Sequence, residues 1–304
     1  MAKSKQAIVD SAHQRLLNKA RNSGRPFNEV LQYYAMEKFL LRMSKLPNAD
    51  DFVLKGALLL RATGISELRP TRDIDVLKYG SSAISDIEEI FRVCCNTNIE
   101  GDGLEFDPDS VEAEEIREQE AYDGIRVKVR GTLGNARITI QIDLGFGDVI
   151  TPKPLWIGYP TILDEDSPRI RAYTLESSIA EKYQAMVSLD MANSRMKDFY
   201  DIYFLSENRS FEGPDIQSAI KETFDRRETK IPTKLPTALT ETFSKDDTKI
   251  RQWKAFISKI SDDQLPKELS TIVNRVKVFL WPVSLSIQDQ SDFTKVWKSV
   301  DGWS

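Results

Sequence analysis

Histidine and cysteine are almost missing from this chain: His13 stands alone, and Cys94 and Cys95 are neighbours, in 304 residues. A zinc site needs several such ligands and Ser/His or Cys/His catalysis needs a histidine beside the nucleophile, so both chemistries are excluded unless His13 serves. Adjacent cysteines rarely satisfy disulfide geometry, and both are expected to be reduced and buried. No apolar run is long enough to cross a bilayer, and nothing after Met1-Ala2-Lys3-Ser4 reads as a signal peptide. The expectation is a cytoplasmic protein without a membrane partner.

What is present is a globular composition, 40% apolar and 29% charged, with length for a full core and, on the usual length prior, two domains. The net charge of -5 is unevenly spread. Residues 1–25 carry six basic side chains and one acidic, and residues 226–304 carry 14 basic and 10 acidic, so the middle holds the negative charge. Solvated helical faces and an RNA-facing surface both fit the basic ends.

Helical spacing predicts two leading helices over residues 5–20 and 27–46. A short strand at 52–54, a turn at Gly56 and a helix over 57–62 follow, then a strand at 73–77 and a helix over 85–97. Residues 124–130 and 137–144 alternate apolar and polar positions on either side of Gly131-Thr132-Leu133-Gly134-Asn135, which predicts an antiparallel pair. The turn-rich stretch from Thr151-Pro152-Lys153-Pro154 to Pro168 reads as the end of the sheet domain. Beyond it the pattern is helical: Thr174 caps a helix to about residue 189, another covers 195–205, and Pro214, Pro232, Pro236, Pro266 and Pro282 divide the remainder. The expected division is a sheet domain with leading helices over 1–165 and a helical domain over 166–304. Trp253, Trp281 and Trp297 sit at helical spacings that favour the core over a role in stacking on bases.

Asp73 and Asp75 are two residues apart on a strand, so they share one face while Ile74 and Val76 fill the other. Asp143, on a second apolar strand, can complete an oxygen-rich pocket of the kind that suits Mg²⁺ and, through it, nucleotide phosphates. Asp148, past Gly145-Phe146-Gly147, is the rival third ligand. Gly56, without a Cβ, would let backbone N–H groups approach a phosphate. Carboxylates that clamp two metals can supply most of the catalysis in phosphoryl or nucleotidyl transfer.

The run Lys55-Gly56-Ala57-Leu58-Leu59-Leu60-Arg61, followed by Arg69-Pro70-Thr71-Arg72-Asp73-Ile74-Asp75-Val76, resembles the first motif of the AbiEii/AbiGii-type nucleotidyltransferase toxins, relatives of the MenT toxins in the DNA polymerase β superfamily. Leu175-Glu176-Ser177-Ser178-Ile179-Ala180-Glu181-Lys182-Tyr183 is similar to the family's helical AEK segment, and Arg195-Met196-Lys197-Asp198-Phe199-Tyr200-Asp201-Ile202 to its R-x-K-D-x-Y-D helix. The resemblance spans about residues 25–210. It implies an α/β fold: a polymerase-β-like nucleotidyltransferase domain with a mixed sheet, followed by a helical C-terminal domain.

The resemblance also implies roles. Asp73, Asp75 and Asp143 would hold Mg²⁺, in two ions, with Asp143 helping to deprotonate the attacking hydroxyl. Lys55, Gly56 and Ala57 would contact the NTP, Lys182 would reach its triphosphate, and Asp198 would sit close to Lys182. On the residues alone Lys182 is a helix lysine paired with Asp198 or Glu181, and Arg195, Lys197 and Asp201 are structural. The implied reaction is NMP transfer to RNA, the 3′ end of tRNA first, by the toxin of an abortive-infection pair with a cognate antitoxin encoded nearby. The γ-phosphotransferase and the non-catalytic nucleotide-binding module remain alternatives. Ala57 departs from the superfamily, which has glycine or serine there, and so loses a hydroxyl contact to phosphate. Thr71, two residues before Asp73, stands where related toxins carry a phosphorylatable residue; a turn-forming threonine explains it equally well.

Overall fold

The computed structural model describes residues 4–64, 71–118, 122–163, 166–260 and 265–304, so Arg69 and Pro70 of the first motif lie outside the described residues. The chain forms two compact units. The first takes the chain up to Ala62 together with Thr71–Gly147 and Leu155–Ala172, and the second is built mainly from Asp148–Pro154 and Tyr173–Ser304.

In chain order the first unit runs α1 (Lys5–Ser23), α2 (Phe27–Met43), β1 (Phe52–Lys55), α3 (Gly56–Ala62), β2 (Asp73–Lys78), α4 (Ile84–Asn96), β3 (Leu104–Phe106), β4 (Glu112–Glu118), β5 (Tyr122–Leu133), β6 (Ala136–Phe146), β7 (Leu155–Gly158) and β8 (Arg169–Ala172). Its sheet has the order β3-β5-β6-β2-β1-β8-β7, with β4 also paired to β5. The sheet is mixed: β2 runs parallel to β6 and β1 parallel to β8, while the other pairs are antiparallel. Period-two alternation puts Ile74, Val76, Ile140, Ile142 and Val127 on one buried face. Against that face pack α2 and α4, where Phe39 stacks on Phe91 at 6.1 Å and meets Phe106 edge-on at 5.0 Å. The odd positions of β2 therefore look the other way: the acids Asp73 and Asp75, and the buried Leu77.

Three differences from the sequence reading have physical causes. The strand expected over 124–130 continues to Leu133 because Gly131 lets β3 come close; a Cβ there would stand 2.6 Å from Phe106 Cδ1. The turn shrinks to Gly134 and Asn135, with Gly134 at φ +57°. β4 was not expected at all: its Glu112-Ala113-Glu114-Glu115 run has poor strand propensity, and pairing with the basic β5, including a Glu114–Lys128 bridge of 2.8 Å, overrides it. The stretch read as the end of the sheet contains β7, and β8 follows it, so two more strands extend the sheet.

The second unit holds α5 (Leu175–Leu189), α6 (Met196–Asn208), β9 (Phe211–Glu212), α7 (Gly213–Arg226), α8 (Glu241–Ser244), α9 (Asp247–Ile257), α10 (Leu269–Gln288), β10 (Val296–Lys298) and β11 (Gly302–Trp303), the three strands forming the sheet β11-β10-β9. The Thr174 hydroxyl caps α5 by accepting from the Ser177 N–H. Trp253 and Trp297 are buried and Trp281 is half-buried; the Trp297 ring packs on Phe279 at 4.7 Å. Pro282 does not divide the last helix but lies inside α10. Val278, whose carbonyl a proline at 282 cannot bond, is 44% exposed, so that turn of helix faces water. Among the described residues no helix is long and apolar enough to cross a membrane.

Candidate active site

The register of four neighbouring strands lines up one row of charges across the acid-bearing face of the first sheet. Lys55 on β1 is opposite Asp75 on β2, Asp75 is opposite Asp143 on β6, and Asp143 is opposite Arg126 on β5. Asp73 and Gln141 face each other one pleat along. Asp73, Asp75 and Asp143 each offer an oxygen within 4.8 Å of the others, and all three are half-buried. Three hard oxygen donors converging at that spacing fit a divalent cation such as Mg²⁺, so the residues present suit the ion that the chemistry calls for.

Gly56 serves the cluster in a way the sequence did not disclose. It stands at the β1–α3 junction at φ +69°, and a Cβ built on it would lie 1.9 Å from Asp75 Oδ2. The side chain it lacks is the space Asp75 occupies, and only glycine meets both the backbone and the steric demand. Ala57 is buried beside it. On the other flank, the Thr71 hydroxyl and the Arg72 N–H both donate to Asp73 Oδ1, and the Thr71 N–H donates to the Tyr33 hydroxyl at 3.0 Å.

Arg126 is the residue sequence reasoning missed. Its Nε and Nη2 donate to the two oxygens of Asp143 at 2.9 and 2.8 Å, a bidentate pair that fixes the carboxylate plane and raises the guanidinium pKa. In the sequence it is one of several charges alternating with Ile125 and Val127, and only the β5–β6 register singles it out. A guanidinium bonded to one of three ligand carboxylates also repels an incoming cation. Arg126→Gln is therefore expected to bind Mn²⁺ about tenfold more tightly in calorimetric titration, and weaker binding would contradict this.

The second unit has a constellation of its own. Lys182 Nζ on α5 lies 3.2 Å from Asp198 and 2.9 Å from Asp201, both on α6, and Arg195 Nε also donates to Asp198. The Asp198 and Asp201 side chains are fully buried. Burial alone would push the Asp198 pKa up, but Lys182 and Arg195 outweigh it and bring it down to about 2. Glu181 pairs with Arg227 at 3.2 Å. Arg227 also holds Asp148 at 3.1 Å, so Asp148 belongs to this unit's ion pairs, and Asp143 is the member of the carboxylate trio.

Because the folded pKa of Asp198 is depressed, its stabilising contribution is present above the unfolded value of about 4 and is lost as pH falls towards 2. Asp198→Asn should cost about 3 kcal/mol at neutral pH, since it leaves Lys182 and Arg195 short of a buried counter-charge. In thermal melts the gap to the unmodified protein should narrow between about pH 4 and pH 2. A gap constant with pH would contradict the assignment.

Comparison with known proteins identifies the family. The family described as nucleotidyl transferase AbiEii toxin, type IV TA system, matches residues 38–275. Among solved structures, the chain is similar to MenT4, a nucleotidyltransferase toxin from Mycobacterium tuberculosis, at 14% identity and a TM-score of 0.53, with 91% of this chain and 99% of that one covered. It is similar also to JHP933 from Helicobacter pylori, at 14% identity and a TM-score of 0.50, with 86% and 94% covered. No curated protein sequence is detectably similar. At 14% identity the structural likeness is one of fold; the family match takes in both the carboxylate trio and the Lys182–Asp198 helices, and the chain belongs to the AbiEii family of nucleotidyltransferase toxins, the toxin side of type IV toxin–antitoxin systems.

Proposed function

We infer that this toxin transfers a nucleoside monophosphate from an NTP to a hydroxyl of RNA, the 3′ end of tRNA being the acceptor the family resemblance favours. The observation that supports it most is the convergence of Asp73, Asp75 and Asp143 beside Gly56, in a chain of the AbiEii family. The acceptor oxygen attacks the α-phosphorus, the new P–O bond forms as the α–β anhydride breaks, and pyrophosphate leaves. Asp73, Asp75 and Asp143 would hold Mg²⁺, in two ions, which when bound supplies charge neutralisation for the attacking and leaving oxygens.

Asp143 takes the proton of the attacking hydroxyl, and Arg126 keeps its carboxylate turned to receive it. Lys55 and the backbone N–H groups of Gly56 and Ala57 bind phosphate oxygens of the NTP. By the family resemblance Lys182 would contribute positive charge to the triphosphate, with Asp198, 3.2 Å from its Nζ, as its positioning residue. Modification of tRNA at its end would block aminoacylation and arrest translation in the cytoplasm, in an abortive-infection response to phage that the cognate antitoxin restrains. A phosphate on Thr71, whose hydroxyl faces Asp73, would place negative charge against the trio and repel the triphosphate.

The test is purified protein with bulk tRNA, Mg²⁺ and each NTP labelled at either the α- or the γ-phosphate. Label entering RNA from the α-position alone is the expected result. Label entering from the γ-position would replace nucleotidyl transfer with phosphotransfer.

A further inference from the structure

The exposed edge of the first sheet carries a second feature that the carboxylate site does not use. Trp156 lies on the edge strand β7 and is 45% exposed. Tyr79, just past β2, is 37% exposed. Each ring has a guanidinium on it: Arg169 is 5.3 Å from the Trp156 ring centroid and Arg171 is 5.6 Å from that of Tyr79. Arg171 also donates to the Asp50 carbonyl at 2.7 Å, which fixes it in place, and neither guanidinium is ion-paired among the described residues. Two large aromatic rings that a core would normally take thus stay in water, each beside an uncompensated positive charge.

Strand register puts this patch on the catalytic side of the sheet. Asp75 faces Lys55 on β1; two residues back along β1, Val53 is opposite Leu77 on one side and Arg171 on the other, and Arg171 is opposite Trp156. Opposed residues share a face, so Trp156, Arg171 and the three aspartates project to the same side. Three strand spacings separate β2 from β7, about 14 Å, and two residues along the strand add about 7 Å.

We propose that Trp156, Tyr79, Arg169 and Arg171 form a docking surface for single-stranded RNA on the side of the sheet that carries the carboxylate trio. This rests on the RNA-acceptor reading given above. The chemistry is that of a stacking platform: a base lies on the open face of Trp156 while Arg169 holds its other face, and Arg171 neutralises the backbone phosphate beside it. The pairing of each guanidinium with an exposed aromatic ring is what favours RNA, since it offers a phosphate contact and a base-stacking face side by side.

Binding of fluorescently labelled bulk tRNA, followed by anisotropy, tests it with Trp156→Ala, Trp156→Phe and the double variant Arg169→Gln/Arg171→Gln. Trp156→Ala is expected to weaken RNA binding at least about tenfold and to raise the KM for RNA with kcat unchanged. Trp156→Phe should restore most of the affinity, the arginine variant should lower the salt dependence of binding, and Mg²⁺-NTP binding should not change in any of them. RNA affinity unchanged in Trp156→Ala, while the unmodified protein still labels RNA, would overturn the docking surface and leave the function standing. If that variant instead escaped neutralisation by the antitoxin, the surface would be a protein interface. Equal loss in the Ala and Phe variants would overturn stacking. No RNA binding and no labelling by the unmodified protein would overturn the function reading and this one with it.

Discussion

Asp75→Asn should abolish nucleotidyl transfer, with a loss of at least about 10³-fold in kcat, while the protein stays folded. The substitution keeps the size of the side chain and removes its charge from a cluster whose three acids lie within 4.8 Å of one another. Electrostatic stabilisation at such a centre is worth several kcal/mol, which is the basis of the magnitude. Stability should hold or rise, because crowded like charges repel and one of them is gone. Initial rates of NMP incorporation and a thermal melt on the same preparation check both halves. Near-normal turnover in this variant would remove the trio from the mechanism.

Gly56→Ala should be almost as damaging for a different reason. Alanine at φ +69° costs about 1–2 kcal/mol in backbone strain. Its Cβ would also collide with the Asp75 carboxylate, which must then turn away from Asp73 and Asp143. The expected result is a loss of transfer of about 10²-fold or more and a Tm lower by about 5 °C. The double variant Gly56→Ala/Asp75→Ala separates the two effects. Removing the carboxylate clears the collision, so part of the Tm should return while activity does not, a coupling that independent sites would not show. Additive losses in Tm would mean that Gly56 serves the turn alone.

Much of this site could be read from the chain, because its key residues carry local signals. Asp73 and Asp75 declare a shared face by their spacing, and the alternation of Ile138, Ile140 and Ile142 marks the strand that brings Asp143. Thr174 is a recognisable cap. What stayed hidden depends on pairing between distant segments. Arg126 acquires meaning only when β5 is set against β6 in register, and β4 exists as a strand only because β5 offers it basic partners. Gly56 could be seen to need freedom from a Cβ, yet the group that claims the space, Asp75, sits nineteen residues on. The short strands β7 and β8 were masked by Pro152, Pro154 and Pro168, and with them went the exposed Trp156. Trp253, Trp281 and Trp297, whose spacing placed them in the core, are buried in two cases and half-buried in the third.

Lys182 also gains its meaning only from the fold. As a sequence it is a lysine on a helix; as a structure it is nearly buried between Asp198 and Asp201, with Arg195 completing the network. A buried lysine held by two carboxylates is a structural arrangement that can also present a fixed charge, and the second use is the one we propose for Lys182. Asp198→Asn addresses both through its pH-dependent stability and through the KM for NTP.

The most direct measurement is pyrophosphate release in the presence of bulk tRNA, Mg²⁺ and NTP, taken alongside incorporation of α-labelled NMP for the unmodified protein, Asp75→Asn and Gly56→Ala. Nucleotidyl transfer at the carboxylate trio requires one pyrophosphate for each NMP incorporated by the unmodified protein, and neither product from Asp75→Asn. Turnover by Asp75→Asn at the unmodified rate, or release of a nucleoside diphosphate in place of pyrophosphate, would contradict it.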